Sequence, residues 1–345
     1  MTRLNRYVVI VLAGVLTIYV LIKGKIILVP LGFAVILFLI LMPLHQRWLA
    51  LLKNRFVGVI CTLLTILIPI VSVIVFFSLQ IAEVVQNLSS IGDDLQTGLA
   101  QVVKWVSENK LLRNFDFATW VQDNLSTILE QPLSLLKFGI SESTQTLSSF
   151  ILTFIYLLFF LLYQNGIKKG ILLIIENSTT DWRQILGEIR RMIEKYLRGM
   201  IIVMGILAIL NSLGLWLIGV DYPVFWGVLA SLLALIPYLG TLLGGGLPLL
   251  YSIAVSETWW QPLLIFLLFA SVQFIEGNFI TPKIVGDQVS LNPLTAIVAL
   301  IIGASIWGLS GVVLAIPMAA VVRIVSRHFE NLRPLAYIMG PEMSH

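Results

Sequence analysis

The side chains best suited to chemistry in this sequence are Gln273, Glu276 and Asn278, which close a long apolar run beginning near Trp260. Glu276 lies 16 residues beyond Trp260. On an uninterrupted helix that places it about 24 Å from the Trp260 interface, inside a hydrocarbon core about 30 Å thick. An unpaired carboxylate at that depth is costly, so it marks a candidate functional site. The alternative is structural: the helix ends at Gly277 and Glu276 orders the turn that follows. Gln273 stands one turn earlier on the same face and Asn278 two residues later. Their amides can hydrogen-bond a polar solute or join two helices, an interaction worth roughly 1 kcal/mol or less in a membrane. Lys283 follows Pro282. It can neutralise Glu276 in one conformation and release it in another, or serve as an interfacial anchor with its stem along apolar surface.

These residues sit between two segments that are apolar but broken. Pro223 to Val255 contains Pro237, Gly240, Gly244, Gly245, Gly246 and Pro248; Leu291 to Val325 contains Pro293, Gly303, Gly308, Gly311 and Pro317. In hydrocarbon every backbone polar group must be satisfied internally, so such segments line a cavity or pack behind one rather than face lipid. Each is either an interrupted helix or a re-entrant hairpin. Pro237, Gly240 and Gly244 remove side chains or a backbone donor, which frees backbone to face a solute or lets helices cross closely. Paired broken segments of this kind are a feature of secondary-transporter binding sites.

Composition sets the class. The chain has 345 residues, 58% hydrophobic and 12% charged, with mean hydropathy +0.97. That is far more apolar than a soluble domain, and it gives an all-α, polytopic helical membrane protein in contact with a lipid bilayer. The net charge of +4 comes from short basic segments beside apolar spans, the pattern of cytoplasmic membrane loops; no nucleic-acid partner is expected. The single cysteine, Cys61, lies in an apolar run, so intrachain disulfides and cysteine metal sites are excluded. Gly308-Leu309-Ser310-Gly311 matches the GxSG of intramembrane serine proteases. A serine nucleophile needs a base within hydrogen-bond reach, yet the nearest histidine in sequence, His328, is 18 residues on. With no HExxH, P-loop or CxxC motif, no enzyme, cofactor, metal site or ATP-driven pump is expected.

Taken in order, residues 1–80 hold three spans. Tyr7–Ile22 and Ile26–Leu44 are joined by Lys23-Gly24-Lys25 as a tight helical hairpin, and the third span starts at Phe56. The first segment follows Arg3 and Arg6 as a leader would, but a second span comes within a few residues, so a transmembrane helix is expected. His45, Arg47, Lys53 and Arg55 form a basic connection that places it and the N-terminus in the cytoplasm. Residues 81–147 carry eight acids against four bases and form an extracytoplasmic insert. Its apolar residues from Ile81 to Val106 recur at helical spacing. Residues 148–198 supply a fourth span and a basic amphipathic helix, with Ile185, Ile189, Met192, Ile193 and Tyr196 on one face, suited to the cytoplasmic membrane surface. Residues 199–345 form the C-terminal core with the broken segments and a cytoplasmic C-terminus.

The C-terminal motifs resemble those of the autoinducer-2 exporter family of bacterial and archaeal membrane proteins. The resemblance rests on Ile236-Pro237-Tyr238-Leu239-Gly240 with Gly244 and Pro248, and on Gln273-x-x-Glu276-Gly277-Asn278 leading to Thr281-Pro282-Lys283-Ile284-Val285-Gly286. It continues through Leu291-Asn292-Pro293-Leu294, Gly303, Gly308-Leu309-Ser310-Gly311 and Ala315-Ile316-Pro317. Asn292 departs from the histidine common in the family. The resemblance implies about eight membrane segments, a homo-oligomer and export of a small polar, autoinducer-2-like signalling molecule across the bacterial cytoplasmic membrane; some members resemble sodium/proton antiporters. The expected partners are therefore a small polar solute or a monovalent cation and proton. A non-transporting scaffold whose acidic insert binds a partner is a further alternative.

Overall fold

The computed structural model describes residues 3–108, 143–176, 181–235, 239–256, 258, 260–285 and 289–341. Its elements are helices throughout: α1 (Arg3–Lys23), α2 (Lys25–Leu52), α3 (Arg55–Glu108), α4 (Ser143–Glu176), α5 (Trp182–Ile218), α6 (Pro223–Leu233), α7 (Leu239–Val255), α8 (Trp260–Ile275), a π turn (Glu276–Ile280), α9 (Thr281–Ile284), α10 (Pro293–Trp307), α11 (Leu309–His328), a 3-10 turn and α12 (Arg333–Met339). No strand occurs among the described residues. Six stretches among them are long and apolar enough to cross a bilayer: Lys25–Leu52, Arg55–Ile81, Thr146–Leu173, Trp182–Ile218, Trp260–Ile284 and Leu309–His328. Their outward faces carry large apolar side chains, with Leu217 77% and Phe274 62% exposed. A soluble protein does not display apolar surface on this scale. The chain is a polytopic helical membrane protein.

The chain divides into two compact units, residues 1–67, 144–198 and 286–345, and residues 68–143 and 199–285. In the first, Ala34 and Leu41 of α2, Val59 of α3, and Leu157 and Leu161 of α4 form one apolar cluster. A second cluster packs Ile185, Met192 and Ile193 of α5 on Ala320 and Ile324 of α11. The amphipathic face expected to lie on the membrane surface is thus covered by another helix. α10 and α11 form a hairpin that turns at Gly308, whose φ of 62° favours glycine. Gly303 and Gly311 bring the two backbones into contact, and a β-carbon on either would collide with the other's carbonyl. Asn292 ties this hairpin to α12. Its Oδ1 accepts from Thr295 N at the start of α10, and its Nδ2 donates to the carbonyls of Ile338 and Gly340.

Two N-terminal expectations are corrected. Helical hydrogen bonds continue on both sides of Gly24, from Gly24 N to Val20 O (2.7 Å) and from Leu28 N to Gly24 O (2.9 Å), so α1 bends into α2 instead of folding back on it. His45 belongs to α2, not to a basic connection after it, and is fully buried. Thr62 Oγ1 donates to Gly58 O (2.7 Å), so His45 Nδ1–H donates to Thr62 Oγ1 (2.9 Å). Gln164 Nε2 then donates to His45 Nε2 (2.8 Å) and to Leu161 O (3.1 Å). One imidazole ties α2, α3 and α4 together.

In the second unit, the broken segment Pro223 to Val255 resolves into the α6–α7 hairpin. Its core gathers Leu215 of α5, Phe225 and Trp226 of α6, Tyr251 of α7 and Ile265 of α8. α5 and α8 run antiparallel in this unit. Gln261 Nε2 donates to Gly219 O (2.9 Å), a β-carbon at Gly214 would collide with Leu268, and Gly199 lies against Ile284 and Val285.

Candidate functional site

The helix that carries Glu276 does not stop at Gly277. α8 passes into an i→i+5 turn, Glu276–Ile280, and continues as α9, so Trp260–Ile284 is one apolar span. Pro282 supplies a physical reason for the wider turn, because it has no N–H to give to a carbonyl one turn back. The turn has a consequence for side chains. In an α-helix, position 281 would stand about 140° round the axis from position 276, whereas an i→i+5 turn stacks the two. Thr281 accordingly bonds Glu276 twice, from its backbone N to Glu276 O and from its hydroxyl to Glu276 Oε1. Gln273 Nε2 donates to the other carboxylate oxygen, Oε2, at 2.8 Å. Glu276 is half-buried, and among the described residues it forms no ion pair.

Positions 265, 272 and 276 share one face of this helix by their spacing of seven and four residues. Ile265 and Val272 on that face are buried in the unit's interior. The α5–α8 register puts Glu276 close to the height of Leu207, which is also buried.

The other sequence candidates separate. Asn278 turns its Nδ2 back to Phe274 O (2.8 Å) and secures the backbone beside the π turn. Lys283 is exposed and stands beyond the carboxylate's hydrogen-bond partners. Gly240 and Gly244 are buried in the α6–α7 hairpin, where β-carbons would press on Ala234 and Ala230, so their visible role is close packing. Pro237 lies outside the described residues. Thr281 was not singled out by sequence reasoning, since Thr281-Pro282-Lys283 reads as a break; only the i→i+5 geometry gives it a partner. Among the described residues no group of acidic, histidine or cysteine side chains could hold a metal ion.

Comparison with known proteins finds relatives that carry transport names. YrrI of Bacillus subtilis, provisionally named a transport protein, is 29% identical over 157 residues, 44% of this chain and 44% of the relative. A provisionally named transport protein of Synechocystis, sll0063, is 25% identical over 307 residues, 82% of this chain and 72% of the relative. YhhT of Escherichia coli, also provisionally named a transport protein, is 27% identical over 129 residues, 37% of each. The matched part spans less than half the length of YrrI and YhhT. The profile of the AI-2E family transporters matches residues 8–331, nearly the whole chain, and the chain belongs to that family.

Proposed function

We propose that this chain is a gradient-driven transporter that exports a small polar solute of the autoinducer-2 type across the bacterial cytoplasmic membrane, with Glu276 as its coupling group. One observation carries the reading. An acidic side chain stands inside a membrane-length helix at the start of a π turn, with two neutral donors on its two oxygens: Gln273 from the preceding α-helical turn and Thr281 brought round by the π turn. π turns inside helices are frequent at functional sites. Neutral donors leave the carboxylate able to bind and release a proton or a cation without breaking an ion pair. Membership of a family whose relatives carry transport names supports the same reading. In this view residues 199–345 form the transport core, residues 81–147 lie outside the cell, both termini are cytoplasmic and the protein works as a homo-oligomer.

The same carboxylate favours a second reading, a Na⁺ or Li⁺/proton antiporter. Flux in proteoliposomes separates the two. The vesicles hold a pH-sensitive dye, Na⁺, Li⁺ or K⁺ is added outside, and wild type is compared with Glu276→Gln. Cation-dependent proton movement that disappears in the variant establishes the antiporter. Proton movement with no cation, together with efflux of an organic solute that Glu276→Gln abolishes, establishes the exporter. Full coupling retained by a folded Glu276→Gln protein sinks both.

A further inference from the structure

Pro282 orphans one backbone acceptor in the Glu276 span. In an α-helix the carbonyl of Gly277 accepts from the N–H of residue 281, and in an i→i+5 turn from that of residue 282. Thr281 N is given instead to Glu276 O, and Pro282 has no N–H to give. Gly277 is exposed, and nothing lies within 4 Å of the place its β-carbon would occupy, so the turn has open space beside it. Hydrocarbon offers such a carbonyl no donor, and an unpaired backbone oxygen there is costly.

Two other oxygens border the same turn. Glu276 is the sequence neighbour of Gly277, and Thr281 joins them: its hydroxyl holds Glu276 Oε1, and its backbone N is the group that α-helical spacing would bring to Gly277 O. Gln273 stands one turn before Gly277 on the same face. Its Nε2 is taken by Glu276 Oε2 at 2.8 Å, which leaves its Oε1 as a free acceptor among the described residues. Both side-chain donors at the carboxylate are therefore spent. What remains is a set of acceptors carrying one negative charge, with no cation paired to Glu276 among the described residues.

We infer that the Glu276 carboxylate, the Gly277 carbonyl and Gln273 Oε1 form a binding site for a monovalent alkali cation, opened by Pro282. Hard cations take oxygen ligands, and a single carboxylate balances a single charge, whereas divalent ions draw on more carboxylates than this turn supplies. Carbonyls released where a membrane helix is broken are cation ligands in secondary transporters. A neutral solute with acceptors of its own finds no donor left here. Protonation of Glu276 removes the only charge in the set, so a proton and the cation compete for it. The inference rests on the reading of Glu276 as the coupling group and names the ion it couples.

The carbonyl itself can be observed. Glycine followed by asparagine occurs once in the chain, at Gly277-Asn278, so carbonyl-labelled glycine combined with nitrogen-labelled asparagine gives a single directly bonded pair by solid-state NMR. The full-length protein in lipid bilayers is titrated with NaCl, LiCl, KCl and choline chloride. The Gly277 carbonyl signal should move saturably with at least one alkali cation and stay fixed with choline. Glu276→Gln should lose that movement. Pro282→Ala returns an N–H at the position facing Gly277 O, so half-saturation should need about tenfold more cation, the worth of one hydrogen bond. A signal indifferent to all three alkali cations, or one that moves equally in Glu276→Gln, would overturn the inference. So would wild-type half-saturation in a folded Pro282→Ala protein; if that variant does not fold, Glu276→Gln decides alone. Flux in proteoliposomes separates the two levels. Transport by a wild type whose carbonyl ignores every alkali cation overturns the site and leaves the transporter reading standing, whereas a cation response without flux of any kind removes the transporter reading and keeps the site.

Discussion

At the residue scale the central fact is the pairing of Glu276 with Thr281 across five positions. Sequence periodicity identifies Glu276, because an acid deep in an apolar run is conspicuous, and it puts Gln273 on the same face. It does not identify Thr281, since α-helical spacing turns that residue away and only the i→i+5 turn brings it back. The Thr281 contact has a direct test. Thr281→Val keeps the shape and removes the hydroxyl donor to a carboxylate, an interaction worth on the order of 1.5–3 kcal/mol when the acceptor is charged. Initial transport rates in proteoliposomes should fall by about tenfold or more, and Thr281→Ser should restore most of the rate. If valine matches wild type, the hydroxyl only fills space.

At the scale of elements, the sequence shows where segments break but not how they close. Gly and Pro mark Pro223 to Val255 and Leu291 to Val325, and both fold as helical hairpins. The choice between hairpin and interrupted helix depends on contacts between residues far apart in sequence, which periodicity does not contain. Gly303 and Gly311 make this concrete. They meet backbone to backbone, whereas Gly246 in α7 has no atom within 4 Å of the place its β-carbon would occupy. Gly303→Ala should therefore lower the thermal midpoint of the purified protein, by an overpacking cost of about 1–3 kcal/mol. Gly246→Ala should leave it unchanged or raise it, since alanine is favoured over glycine inside a helix by about 1 kcal/mol. Equal effects at the two sites would show that the α10–α11 contact is looser than described. The correction at Gly24 has the same origin: Lys23-Gly24-Lys25 looks like a turn, but its backbone keeps helical hydrogen bonds on both sides.

For the whole molecule, composition and hydropathy are enough to establish a polytopic helical membrane protein, because 58% hydrophobic residues in apolar runs admit no other class. The division into two units is not legible, since each unit collects residues from separated stretches of chain. The acidic stretch of residues 81–147, whose first 28 residues are the C-terminal half of α3, bears on what the whole protein does. Under the proposed reading the Glu276 span performs the coupling, and the eight acids of residues 81–147 have no part in it. If the chain is a scaffold, that stretch is the working part and Glu276 is dispensable. Replacing residues 92–135 with a flexible Gly/Ser linker sets these against each other. Gradient-driven flux in proteoliposomes should persist in the deleted protein at a rate within a few-fold of wild type and should remain sensitive to Glu276→Gln. A deleted protein that keeps its helical content and thermal midpoint but has no flux would assign an essential role in transport to the insert. A cellular phenotype lost on deletion yet unaffected by Glu276→Gln would favour the scaffold. The two changes touch different parts of the chain, so their effects in the double variant should add if coupling resides in the span alone.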